Sequence, residues 1–160
     1  LASVLTEGRS SRLYRRLVEK DQLALNIDGG TQDSLDPSQF IFSMQVRSGV
    51  DPVKAEAALY EELALAAKDG ISEDELSKAR NQLVAQFYRG LKTIAGKANL
   101  LGRYEIYNGD YRKLWTAVDE LKKVTAADVK RVAAQYFGEK NRTVATLIPE
   151  APAQAKETSK

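Results

Sequence analysis

The strongest constraint on this chain is a change of hydrophobic period between residues 7 and 28. Leu13, Tyr14, Leu17 and Val18 recur at helical spacing, while Arg12, Arg15, Arg16, Glu19 and Lys20 stay polar. From Leu23 the period drops to two. Leu23, Leu25 and Ile27 alternate with Ala24, Asn26 and Asp28, the pattern of a half-buried strand. A helix that feeds straight into a strand predicts a helix layered on a sheet. Leu1, Val4 and Leu5 predict a short helix before it, kinked at Gly8, and Ser10 and Ser11 offer hydroxyls to cap the next one.

Further along, Gly29-Gly30 suits a bend or bulge at the strand's end. Residues 31–39 are a turn-rich connection. Phe40, Phe42, Met44 and Val46 then alternate with Ile41, Ser43, Gln45 and Arg47, predicting a second strand antiparallel to the first. Asp51-Pro52 reads as cap and first residue of a helix whose stripe is Val53, Ala57, Tyr60, Leu63, Ala64 and Ala67, with Gly70 as a left-handed stop. Ser72-Glu73-Asp74-Glu75 is a capping box, so its carboxylates are read as capping groups rather than catalytic acids. Leu76, Ala79, Leu83 and Phe87 continue that helix.

Leu91, Ile94, Ala98, Leu101 and Ile106 keep the next stretch helical through Gly90, Gly96 and Gly102, as far as a turn at Tyr107-Asn108-Gly109-Asp110. Leu114, Trp115, Val118 and Leu121 form another stripe, with Trp115 assigned to the core. Thr125 caps a last helix carrying Val129, Val132, Ala133, Tyr136 and Phe137, with Val124 set to staple against Val129. Residues 142–148, β-branched and bounded by Pro149, predict a third strand. The class that follows is α+β, an antiparallel sheet with helices packed on one face. One domain is expected over 1–149, and a disordered tail over 150–160, which lacks large apolar groups.

Composition narrows the chemistry. The chain has no cysteine and no histidine, which removes thiol catalysis, imidazole acid–base work and histidine-containing zinc sites. A net charge of +2 gives no overall push towards nucleic acid or an anionic surface. No apolar run is long enough to span a bilayer, and the first residues lack the basic head and cleavage site of a signal peptide. Leu1 opens in mid-helix without a methionine, as expected of a piece of a longer polypeptide. Bacterial periplasm and cytoplasm both stay open as its compartment.

Gly8-Arg9-Ser10-Ser11-Arg12-Leu13-Tyr14, with Leu17 and Asp21-Gln22-Leu23-Ala24, resembles the carboxy-terminal domain of zinc peptidases of the pitrilysin/insulinase type, which includes the mitochondrial processing peptidases. Later segments extend the resemblance: Ile71 to Leu76 with Ala79-Arg80, the turn from Gly102-Arg103-Tyr104 to Asn108-Gly109, Val118 to Phe137, and Thr143 to Pro149. The resemblance implies the metallopeptidase-half fold, including a strand ahead of the first helix that this sequence does not contain. It also implies zinc in the parent's amino-terminal half, held by a His-x-x-Glu-His helix and a distal Glu. No metal ligand is implied in this chain.

In that family the carboxy-terminal domain can add an Arg and, seven positions later, a Tyr that stabilise the developing oxyanion. Those positions hold Val18 and Leu25, which donate no side-chain hydrogen bond. No catalytic residue is therefore assigned. The implied role is to wall a chamber around a peptide substrate. Its partners would be the amino-terminal half and, for the Arg and Tyr, a second subunit. The alternative is a structural or assembly domain of an inactive relative. Arg9, Arg12, Arg15 and Arg16 could bind phosphate or acidic peptide, but with Glu7, Glu19 and Asp21 beside them they read as a solvated face. Nucleic acid is not expected.

Overall fold

A computed structural model describes residues 1–148; the predicted tail lies outside the described residues. A short helix α1 (Ala2–Leu5) ends at a turn, Gly8 takes a left-handed φ of 78°, and helix resumes at 12. The serines do not cap it. Ser11 is buried and its hydroxyl donates back to the Gly8 carbonyl at 2.8 Å, while Ser10 accepts from Lys78. From Tyr14 to Lys20 the helix widens to π geometry, its last amide, Asp21, donating five residues back to Arg16 at 2.9 Å. Leu13, Leu17 and Val18 are all buried by it.

Strand β1 (Ala24–Thr31) pairs antiparallel with β2 (Phe40–Val46). The register runs without interruption from Thr31↔Phe40 back to Asn26↔Gln45, then slips so that Ala24 faces Val46. Leu25 is the extra residue of a β-bulge there, and it points to solvent at 51% exposure. The alternation read from the sequence therefore fails at Leu25, while Leu23 and Ile27 are buried as expected. Gly29-Gly30 is no bend. Gly29 lies opposite Phe42, and a Cβ there would sit 2.6 Å from the Phe42 ring, so the glycine makes room for an aromatic side chain.

Phe42 stacks with Phe40 at 4.8 Å, and both meet Phe137 edge-on at 5.7 and 5.3 Å. This cluster joins β2 to the end of α6 (Ala126–Tyr136). Helix α2 (Pro52–Lys68) lies in the same layer. Asp51 caps it by accepting from the Val53 amide at 2.9 Å, and Gly70 ends it at φ 81°. Its buried face is Ala55, Ala58, Leu59, Leu63 and Ala66, not the expected stripe; of that stripe only Leu63 is fully buried. An alanine-rich helix is apolar on more than one side, so period alone does not choose the face. Together with the 12–20 helix and β1, these residues form one apolar core on the inner side of the sheet. The 12–20 helix, α2 and the end of α6 pack on that side, which is the expected α+β layering.

Helix α3 (Glu73–Gly90) starts with the predicted capping box and packs against α1. Helicity breaks at 91–93, where Thr93 caps α4 (Ile94–Asn108). A Cβ on Gly96 would fall on the Gly90 carbonyl, so this turn closes only with glycine there. Gly109 ends α4 at φ 67°, and a 3-10 turn (Tyr111–Thr116) leads into α5 (Ala117–Lys123). Leu114 is buried but Trp115 is 66% exposed, against expectation. Thr125 caps α6 through a second capping box with Asp128.

The predicted third strand is not formed. Residues 142–148 are irregular, and Leu147 is 96% exposed. A strand needs a neighbour, and among the described residues no free strand edge is paired with this one. Arg142 anchors the start of the segment, its guanidinium 3.7 Å above the Tyr60 ring.

Candidate functional site

The arginines of the opening motif are engaged internally. Arg12 makes a fork-to-fork pair with Glu75, Nε donating to Oε1 at 2.6 Å and Nη2 to Oε2 at 2.7 Å. Glu75 also accepts from the Ser72 amide at 2.8 Å, so one carboxylate caps α3 and ties it to the 12–20 helix. The Arg12 guanidinium, helped by Ser72, holds the Glu75 carboxyl down to about 2. Arg16 pairs with Asp21, with Glu61 at 3.0 Å and with Glu62 at 3.7 Å. Arg9 reaches the Tyr14 hydroxyl at 3.5 Å. Of the neighbours expected for a solvated face only Asp21 is a partner; Arg12 and Arg16 are part-buried ties to α3 and α2, and Arg15 is exposed without a described partner.

Val18 and Leu25 are placed differently. Val18 is packed into the core by the π-helical turn, whereas Leu25 stands out on the bulge. Neither side chain has a polar atom to offer. A metal ion does not fit the residues present. Histidine and cysteine are absent from the sequence, and no three Asp or Glu side chains converge among the described residues.

What the fold leaves open is the outer side of the sheet. Asp28 and Ser43 form one cross-strand pair there, Gly30 and Ile41 another, and no helix covers them fully. Next to this face lies an open cleft of about 730 Å³ between the end of α1, the far half of β1 and α3. Thr6, Glu7, Asp28, Gln82, Gln86 and Arg89 contribute most of its polar groups. Thr6 fixes one wall by donating its hydroxyl to the Gly29 carbonyl at 2.9 Å. Glu7 is held by the Ser3 hydroxyl at 2.7 Å. Sequence reasoning missed Gln82, Gln86 and Arg89. Their one signal is spacing, since positions 82, 86 and 89 share a helical face that adjoins the Ala79 and Leu83 stripe.

The lining mixes hydroxyl, carboxylate, amide and guanidinium groups with backbone of β1, in an open and shallow cleft. Residues 1–83, just over half of the sequence, match the family model described as the peptidase M16 inactive domain. The chain belongs to the M16 peptidase family. This M16 domain is 32% identical over 152 residues to the zinc protease PqqE of Helicobacter pylori, a match covering 93% of this chain and 33% of that protein. It is 28% identical over 141 residues to the uncharacterized zinc protease SCO5738 of Streptomyces coelicolor, covering 86% and 30%. The chain thus spans about a third of the length of the curated relatives it matches.

Solved structures of similar proteins agree. An inactive peptidase domain from Bordetella parapertussis superposes with a TM-score of 0.84 at 29% identity, covering 98% of this chain and 82% of that one. A protease from Helicobacter pylori gives 0.80 at 26% identity, with 88% and 34% covered. The chain is therefore a carboxy-terminal domain of the M16 type, as the resemblance implied.

Proposed function

We propose that this M16 domain is the non-metal-binding wall of a zinc-dependent endopeptidase, closing a chamber over an extended peptide. The observation that carries the reading is the exposed outer sheet face with its adjoining open cleft, whose lining holds no histidine or cysteine and is bounded by backbone of β1. Zinc belongs to the amino-terminal half of the parent, which is the domain's first partner. Val18 and Leu25 stand where Arg and Tyr would act, so a second subunit supplies those donors. Peptide contacts come from backbone and polar side chains along the cleft.

The test is to assay this chain with zinc, alone and mixed with the amino-terminal half and the second subunit, against an unfolded protein substrate. Cleavage is expected only in the mixture, and zinc-dependent turnover by this chain alone would reject the reading. A purely structural role in an inactive relative is the second reading, favoured by the same Val18 and Leu25. It requires that the parent lack the His-x-x-Glu-His helix.

A further inference from the structure

Whole-chain charge conceals a segregation that the fold makes visible. Between Tyr88 and Trp115 lie six cations, Arg89, Lys92, Lys97, Arg103, Arg112 and Lys113, against two acids, Glu105 and Asp110. That is a local excess of four in a chain whose total is +2, so the remainder is net negative. Arg103 pairs with Asp33 and Arg112 with Asp110, whereas Arg89, Lys92, Lys97 and Lys113 have no acidic partner among the described residues. The same stretch holds five of the eight Tyr and Trp residues. Tyr88, Tyr107, Tyr111 and Trp115 are exposed, and Ile94 and Ile106 beside them are exposed at 88% and 63%. Helix α4 buries none of its residues fully and packs mainly on the 3-10 turn that carries Tyr111 and Trp115.

We propose that this α4 lobe docks on an anionic phospholipid surface. Amphipathic Tyr and Trp rings favour the boundary between headgroup and acyl chain, aliphatic side chains enter it, and lysines reach the phosphates from its rim. The cations without an acidic partner give the lobe a local positive field, and an anionic leaflet complements it without shape matching. Stacking on single-stranded nucleic acid would leave Ile94 and Ile106 unexplained. A protein interface core is ordinarily depleted in lysine. Among the described residues no helix is long and apolar enough to cross a membrane, and the proposed contact is a surface one.

Trp115 is the only tryptophan and therefore reports on its own site. The experiment mixes the chain with vesicles of phosphatidylcholine alone or with about 30% phosphatidylglycerol, and reads co-sedimentation and tryptophan emission. Anionic vesicles are expected to bind at least about tenfold more protein, with Trp115 emission shifting to the blue. Lys92→Glu with Lys97→Glu, both exposed and unpaired, is expected to abolish the difference without moving the unfolding midpoint. Lys92→Gln with Lys97→Gln, which adds no acids, is expected to give an intermediate loss. Equal binding to both vesicles, retention of binding by the charge-reversed variant, or equally tight binding to poly-glutamate or oligo-thymidine would overturn the proposal.

Discussion

The body of the molecule and its α4 lobe are stabilised in different ways. In the body, Leu5, Leu13 and Leu17 are fully buried, and contacts far apart in sequence hold the elements together, with Arg12 on Glu75 and Thr6 on the Gly29 carbonyl. In the lobe nearly all bonds are local. Thr93 caps α4, Gly109 ends it, Asp110 accepts from the Arg112 amide at 2.8 Å, and Glu105 accepts from the Tyr111 amide at 3.0 Å. Leu114 is the one fully buried side chain from the 3-10 turn. One region is fixed by removing apolar surface from water, the other by satisfying backbone groups, and a mutation should therefore cost very different amounts in each.

The largest effect is expected from Leu17→Ala. Leu17 lies at 0% exposure between the sheet and α2, and truncation there should cost roughly 3–5 kcal/mol, read as a fall in the urea midpoint at constant slope. A cost under about 1 kcal/mol would mean that the body is no better packed than the lobe. Glu75→Gln comes next at roughly 1.5–2 kcal/mol. It removes charge-assisted bonds, and their partial exposure sets the effect at the lower end. Because folding lowers the Glu75 pKa to about 2 from an ordinary value near 4.5, its contribution is complete above the unfolded pKa. It disappears as pH falls from about 4.5 towards 2. Glu75→Gln should therefore flatten the acid limb of stability against pH and leave the neutral region parallel to wild type.

Gly29→Ala should cost roughly 1–2 kcal/mol, since its methyl meets the Phe42 ring and the Phe40–Phe42–Phe137 cluster must shift. Gly30→Ala, with only the Ala2 methyl 3.8 Å away, should cost less; equal costs would mean that strand propensity rather than ring contact explains Gly29.

These glycines also show what the sequence could and could not reveal. Caps were legible because their chemistry is local: Asp51, Ser72, Thr125, Gly70 and Gly109 all sit where they were expected. Facing is decided by neighbours. Val53, Ala57 and Ala64 matched a helical period as well as Ala55, Ala58 and Ala66 did, and only packing against α6 and the 12–20 helix chose between them. The bulge at Leu25 follows from an extra residue against β2, which no single-strand pattern contains. Trp115 and residues 142–148 have core and strand composition, but burial and pairing require a partner surface. At the site, the lack of donors at Val18 and Leu25 follows from residue identity alone, while the cleft face of α3 depended on where α1 and β1 end.

The smallest effect is the one that most sharply tests the contrast. Ile94→Ala removes a large aliphatic group from α4, yet at 88% exposure little apolar surface leaves water on folding. Alanine is also the better helix former by a few tenths of a kcal/mol, which opposes what little is lost. The unfolding midpoint should move by less than about 0.5 kcal/mol, in either direction. Hydrogen exchange gives the complementary reading. Amides of α2, closed over Ala58, Leu59 and Leu63, should open only with the whole molecule, whereas those of α4 should exchange through local opening at lower free energy. Equal protection in α2 and α4 would mean that the lobe draws on the same core as the body, and the division between burial and backbone satisfaction would fall.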